Sequence, residues 1–342
     1  MYKILVIGAG FTGATIARQL ADRGYEIEVV DSRDHIGGNA YDTTQNGIRY
    51  HKYGPHIFHT NNQKVFDWLS EFTLWRKYHH QVYAIDPDGK YMPFPPNRET
   101  WLDYGKNKEK LIDVFFRPYT KKMWGMELEE ITPDILNRVP IDTDSFTNYY
   151  FNDKFQYMPK HGYTEIFNRI LDHKNIKIIL NTTIKNDENL NKYYHYVFNC
   201  SPIDDWYNYD FGELPYRSIK FYHMLIPSPK FYSVSTVNFT HDGRFTRCTE
   251  WKNFPNHGTD DYNTLLTYEE PCDYKSNNME RYYPVKDIKG KNREIYKKYA
   301  SLDHGNMMFV GRCGQYVYID MDQAINSGLQ IAEKFINGRI RT

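Results

Sequence analysis

Four apolar residues in a row, Ile4-Leu-Val-Ile7, follow Lys3 and run straight into Gly8. An apolar run without alternation predicts a short parallel strand covered on both faces. Gly8-Ala-Gly10-Phe11-Thr12-Gly13 comes next. Apolar Ile16, Ala17 and Leu20 then recur at helical spacing over 14–23, until Gly24 stops the helix. Glu26-Ile-Glu-Val-Val30 predicts a second strand, closed by Asp31. Similar patterns return later: a helix near 164–171, strands at 176–180 and 196–199, and an apolar-periodic helix over 321–336. Met307-Met-Phe-Val reads as a strand that runs through Gly311-Arg312 into a loop. Between these segments, 81–85 and 90–92 read as strands around a turn at Asp86-Pro-Asp-Gly89, and 98–147 carries helical stretches such as 111–116. Residues 206–285 are short Tyr-, Phe- and Thr-rich runs broken by Pro, Gly and Asn, the pattern of antiparallel sheet.

Composition narrows what such a chain can do. The 43 Lys and Arg balance 43 Asp and Glu, which argues against a general nucleic-acid binder but leaves room for a local anion pocket. No run approaches the roughly 20 apolar residues that span a bilayer, and the strand pattern begins too early for a signal peptide. Cys200, Cys248, Cys272 and Cys313 are scattered, without zinc-type or redox spacing, as expected of a cytoplasmic protein with reduced thiols. Tyrosine is in excess: 31 residues, where an even share would be roughly 17.

The strand, glycine turn and helix at the start form a dinucleotide-binding unit. Gly8, Gly10 and Gly13 allow a tight turn, close approach of a pyrophosphate and close helix packing, and the helix N-terminus faces the anion. Asp31 stands 18 residues after Gly13, where a carboxylate accepts from ribose hydroxyls. Ser32 follows, and Gly37-Gly38-Asn39 adds a second close backbone approach. That combination resembles the FAD-binding pattern of glutathione-reductase-like and amine-oxidase-like flavoproteins. The late strand, loop and helix around Gly311, Arg312, Asp320 and Met321 correspond to the segment that grips the flavin end.

Tyr53-Gly-Pro-His56-Ile-Phe-His59-Thr60 then gives the resemblance its specificity. Together with Phe115-Phe116-Arg-Pro-Tyr119-Thr-Lys-Lys-Met-Trp124-Gly125, Arg138-Val-Pro, Tyr149-Tyr150-Phe151 and Phe245-Thr-Arg247, it resembles the signature of UDP-galactopyranose mutases. Tyr282-Tyr283-Pro284 and Tyr318-Ile-Asp320-Met-Asp322 extend the match to the end of the chain. The resemblance implies a redox-neutral isomerase that interconverts UDP-galactopyranose and UDP-galactofuranose, with N5 of reduced FAD as nucleophile at the anomeric carbon. An external reductant is then required.

The same resemblance assigns roles. His56, His59 and Arg312 would act beside the flavin. Tyr119, Trp124, Phe115 and Phe116 would pack on uridine, and Arg138 and Arg247 would hold the diphosphate. Tyr150, Tyr283 and Tyr318 would donate to phosphate, and Asp320 would approach cofactor or sugar. Asn238 would meet the substrate, although the loop after it is one residue shorter than the family spacing. Glu269 resembles an acid near the sugar, with Glu270 beside it as the alternative.

The expected fold class is α/β, α+β in part. A discontinuous Rossmann-like FAD-binding domain takes 1–75, 155–205 and 299–342. A reduced helical domain takes 98–150, with a mobile lid near 125–140, and an antiparallel sheet domain takes 76–97 and 206–298. The stretch between Trp101 and Leu111 is shorter than in typical bacterial members, which leaves open whether the chain forms a homo-oligomer. His79-His80-Gln81 stands where the family has an asparagine beside the substrate. An FAD-dependent oxidoreductase of the amine-oxidase-like class is the competing reading.

Overall fold

The run Lys3–Ile7 is the central strand of a five-stranded, wholly parallel sheet, seen in a computed structural model that describes residues 2–131, 141–187 and 189–340. Its order is Ile176–Ile179, Glu26–Val30, Lys3–Ile7, Tyr196–Asn199 and Met307–Phe309. The first helix, Phe11–Ala21, buries Ile16, Ala17 and Leu20 completely against one face. The closing helix, Met321–Ile336, lies across it. Gly328 makes this approach possible, because a Cβ there would stand 2.8 Å from Thr15 Cβ, and Thr12 Oγ1 donates to Ala324 O at 3.1 Å.

A seven-stranded sheet carries the other half of the molecule. Its order is Tyr283–Pro284, Tyr216–Ile226, Thr264–Asp273, Arg247–Glu250, Thr236–Phe239, Val82–Ile85 and Tyr91–Phe94. It is not purely antiparallel as expected, because Thr236–Phe239 and Val82–Ile85 run parallel. Those strands are far apart in sequence, so no tight turn dictates their relative direction. A smaller sheet joins Phe58–Thr60, Phe155–Pro159 and Trp75–Lys77, and a hairpin pairs Asp42–Gln45 with Ile48–His51.

Three expected domain boundaries fall inside elements and need correction. The break at 75/76 cuts the strand Trp75–Lys77, 205/206 cuts the helix Ile203–Trp206, and 298/299 cuts the helix Lys291–Ala300. Burial explains the last two: Trp206 and Tyr299 sink into one apolar cluster with Ile7 and Phe309 under the parallel sheet. The expected loop after Phe309 is a helical turn, Gly311–Gly314, entered through Gly311 at φ +73°. Arg138 and most of the expected lid lie outside the described residues. Among the described residues no helix is long and apolar enough to cross a membrane.

The cleft helix, Arg117–Trp124, carries Tyr119 and Trp124, two of the aromatic residues expected at the site. Pro118 near its start cannot donate a backbone hydrogen bond, and a π-turn at Ile112–Phe116 precedes it where the helical ladder is interrupted. Its far end stops at Gly125, left-handed at φ +66°. Arg217 caps that end, with Nε donating to Met123 O at 3.0 Å and Nη2 to Lys122 O at 3.1 Å. Lys122 Nζ donates to the carbonyls of Phe239, His241 and Phe245 at 2.8, 2.8 and 2.9 Å, tying the helix to the large sheet. Burial lowers this ammonium to about 8. Replacing it with the similarly shaped methionine leaves three carbonyls short of a donor. Lys122→Met is therefore expected to lower unfolding stability by about 2 kcal/mol, read as a reduced urea midpoint at unchanged slope.

Candidate functional site

The glycine turn forms a cradle that side chains could not share. A Cβ on Gly13 would lie 2.0 Å from Gly8 O, and one on Gly38 would lie 3.1 Å from Gly10 Cα. The two glycine segments therefore touch backbone to backbone. The first helix begins at Gly10 with no side-chain cap and no acid in its first turn, which leaves the N–H groups of Phe11 and Thr12 for an anion, while the Gly13 N–H bonds the Cys200 thiol. Asp31 braces the turn: Oδ2 accepts from Ala9 N at 2.8 Å and Oδ1 from Arg33 N at 2.9 Å. Two lone-pair sites on a carboxylate remain for a ribose. Ser32 is exposed, and Asn39 Oδ1 accepts from Arg33 Nη2 at 2.9 Å. These features fit the pyrophosphate and ribose of a dinucleotide.

A cleft of about 750 Å³ is lined by residues from the Gly-Pro-His segment, the stretch 115–124, the Tyr150, Arg247 and Tyr283 segments and the stretch from Arg312 to Met321, with none from the cradle itself. One wall is aromatic. Trp124 meets Tyr283 edge-on at 4.8 Å and Tyr318 at 6.2 Å, while Tyr119 and Phe116 come from the same helical stretch. Phe115 is 1% exposed and packs edge-on against Tyr104 at 5.2 Å, so most of its surface is core. Tyr150 lines the cleft, and its backbone N–H donates to His80 O at 2.8 Å. Tyr283 departs from expectation: its O–H donates to Met123 O at 3.0 Å. A phenol has one proton to donate, so in this arrangement Tyr283 braces the cleft helix and offers a ligand only its ring edge and lone pairs.

Cations stand opposite. Arg247 Nε donates to Glu269 Oε2 at 2.7 Å, and Asn238 pairs with Arg247 across adjacent strands. Glu269 is fully buried, and its Oε1 has no hydrogen-bond partner among the described residues. Burial pushes its carboxyl up, against the pull of Arg247. Glu270 faces the other side of the strand, where it accepts from Tyr222 Oη at 2.6 Å. Strand alternation sends the two glutamates to opposite faces, with Glu269 on the side of Arg247, although neither lines the cleft itself. Arg312 donates to Tyr282 O at 3.0 Å and Ile319 O at 2.7 Å, and lies over the Tyr318 ring. Asp320 starts the closing helix in a capping box with Gln323, which places Asp320 and Met321 on the cleft rim.

The two histidines of the Gly-Pro-His segment both reach the cleft. His56 Nδ1 donates to Gly54 O at 2.8 Å, and burial lowers its pKa to about 4. His59 stacks on Phe151 at 3.7 Å, and its Nδ1 lies 2.7 Å from Asp153 Oδ2. Several lining residues escaped the sequence reading as site residues, among them Asp153, Phe151, Tyr282 and Lys286. Tyr282 and Phe151 each adjoin an assigned tyrosine, which was the available signal. His80, noted only as a departure, lines the cleft at 4% exposure; its Nδ1 faces Tyr78 Oη at 3.3 Å and Ser235 Oγ at 3.4 Å. Among the described residues no group of three His, Cys, Asp or Glu could hold a metal ion.

Comparison with known proteins agrees with this geometry. Residues 114–318 match the family model for UDP-galactopyranose mutase, and 6–72 match that of an NAD(P)-binding Rossmann-like domain. A Klebsiella pneumoniae protein described as "Probable UDP-galactopyranose mutase" is 34% identical over 98% of this chain and 95% of its own length. An Escherichia coli dTDP-fucopyranose mutase is 32% identical over 98% and 99%. The crystal structure of a reduced UDP-galactopyranose mutase superimposes with a TM-score of 0.74, at 16% identity, over 98% of this chain and 94% of that one.

The buried imidazoles dictate an acid response. Burial lowers His80 to about 3, and His56, His223 and His257 to about 4. The unfolded chain then takes up protons first as the pH falls below about 6.5, so stability present above that value is lost progressively toward about 4. The urea midpoint is expected to be lower at pH 5 than at pH 7. His223→Gln, outside the cleft lining, should shrink the difference.

Proposed function

The chain belongs to the UDP-galactopyranose mutase family, and on that premise we propose that it interconverts UDP-galactopyranose and UDP-galactofuranose with reduced FAD in the glycine cradle. The observation that supports this reading is the composition of one cleft: an aromatic wall and Arg247 at one end, two histidines, Arg312 and the closing helix at the other. A redox enzyme of the amine-oxidase-like class has no need of a nucleotide-stacking wall. The match to rat amine oxidase B covers only 30% of this chain.

Reduced FAD, when bound, supplies a nucleophilic N5 for the anomeric carbon of the sugar. The chain's own residues position the reactants. Trp124, Tyr119 and Phe116 offer flat apolar surface to the uracil ring. Arg247 is held at Nε by Glu269, which leaves its terminal N–H groups to grip the diphosphate, with Tyr150 and Tyr318 as neutral partners. Neutral donors and one braced guanidinium hold the leaving UDP without trapping it, so that it can return in the same turnover. His56, His59, Arg312 and Asp320 border the space for the flavin ring and the sugar, and the aromatic lining limits water there. Arg138 is proposed as a second diphosphate contact, and an external reductant keeps the cofactor reduced.

The direct test is to reduce the purified protein with dithionite, add UDP-galactofuranose and follow the nucleotide sugars by chromatography. Formation of UDP-galactopyranose is expected, and its absence rejects the reading. The similarity to a dTDP-fucopyranose mutase makes dTDP-fucofuranose the informative second substrate. Arg247→Lys keeps a charge but gives up the guanidinium fork, and is expected to reduce kcat/KM by about 100-fold.

A further inference from the structure

His51 and His257 lie behind the cleft, 0% and 1% exposed, caged by Tyr163, Trp251 and Phe254. Neither lines it. Their hydrogen bonds nevertheless anchor the main chain of a residue that does, His56. A carbonyl oxygen can only accept, so His257 Nδ1 donates to Pro255 O at 2.8 Å and His56 Nδ1 donates to Gly54 O at 2.8 Å. His51 Nδ1 accepts the backbone N–H of His56 at 2.9 Å and therefore carries no proton. The proton of neutral His51 sits on Nε2, which lies 3.2 Å from His257 Nε2, the bare nitrogen of that ring. Each contact has one donor and one acceptor when all three rings are neutral.

We propose that His51 and His257 are positioning residues that hold the His56 main chain where its Nδ1–H meets Gly54 O, so that His56 presents the cleft with a hydrogen-bond acceptor, the lone pair of Nε2. That nitrogen has no partner among the described residues. Arg312 and Arg247 stand near His56 and oppose an imidazolium, Asp320 favours one, and Arg49 opposes charge on His51 and His257. Burial outweighs these terms and keeps the rings neutral. What meets Nε2 must donate: a sugar hydroxyl, or an N–H that the flavin carries only when reduced. The identity of that donor rests on the mutase reading; the tautomer does not.

The tautomer is measured on cofactor-free protein with ring-15N-labelled histidine and long-range 1H–15N correlation, His56→Gln identifying the His56 signals. The Nδ1–H form is expected in the wild type. His51→Asn, which keeps an acceptor for the His56 N–H, should retain it. His51→Phe keeps the ring volume, loses the acceptor and should show a mixture. A wild-type His56 in the Nε2–H form, or a tautomer indifferent to His51→Phe, overturns the proposal, and the wild-type result stands even if a variant fails to fold. In the reduced holoenzyme, His51→Phe then identifies the donor. A raised KM for UDP-galactofuranose, about 5-fold for one neutral hydrogen bond, indicates a sugar hydroxyl. A lower flavin reduction potential at unchanged KM indicates the cofactor. If neither moves, the acceptor role is rejected. Absence of turnover in the wild type, with the tautomer intact, rejects only the mutase reading.

Discussion

The buried pair of Arg247 and Glu269 is the contact on which the site's geometry depends. Two charges removed from water stay ionised only at close range, and removing either partner from such a pair typically destabilises by about 3–5 kcal/mol. Here the pair also fixes a neighbour. Gly54 packs so closely on Glu269 that a Cβ would come within 3.0 Å of Oε1 and of the Phe221 ring. Gly54 O in turn receives the His56 ring proton, and Tyr282 Oη donates to Tyr53 O at 2.6 Å. Arg247 and the histidine segment are thereby tied together, although they come from different sheets.

The tyrosine excess resolves into two populations. Most phenols serve as internal hydrogen-bond donors: Tyr299 to Gly212 O, Tyr316 to Pro215 O and Val285 O, Tyr194 to Glu28. Burial raises the pKa of these groups, so they stay neutral and act as fixed dipoles. A smaller set, Tyr119, Tyr150, Tyr282, Tyr283 and Tyr318, reaches the cleft. Two of these, Tyr282 and Tyr283, donate to main-chain carbonyls, so under the proposed function Tyr119, Tyr150 and Tyr318 would add neutral partners for a diphosphate without adding charge.

What was legible in the sequence followed from local rules. The glycine cradle, the strand at Glu26–Val30 and the helix at Met321–Ile336 each depend on residues close in the chain, and the pattern located them to within a residue or two at most boundaries. Glu269 and Glu270 could not be separated, because one register step exchanges the two faces of a strand. Asp153 was invisible for another reason: it acquires meaning only through His59, 94 positions earlier. Tyr283 was assigned to phosphate from its motif, but the proximity of Met123 O is a tertiary fact. The parallel junction between Thr236–Phe239 and Val82–Ile85 was hidden likewise, since both strands look the same in either direction.

The grip on Lys122 also divides the molecule mechanically. Three carbonyls, of the strand residue Phe239 and of His241 and Phe245 in the loop after it, hold Lys122, and Arg217 holds the same last turn of the cleft helix before the left-handed residue Gly125. Swinging that end of the helix would require five charge-assisted bonds to break together, so in the proposed function it would be a fixed anvil for the nucleobase. Widening of the cleft must then begin beyond Gly125 or in side-chain rotation. On the proposed function, ligand exchange and nucleobase recognition would then be entrusted to different stretches of chain, and substitutions could alter release rates without altering which base is preferred.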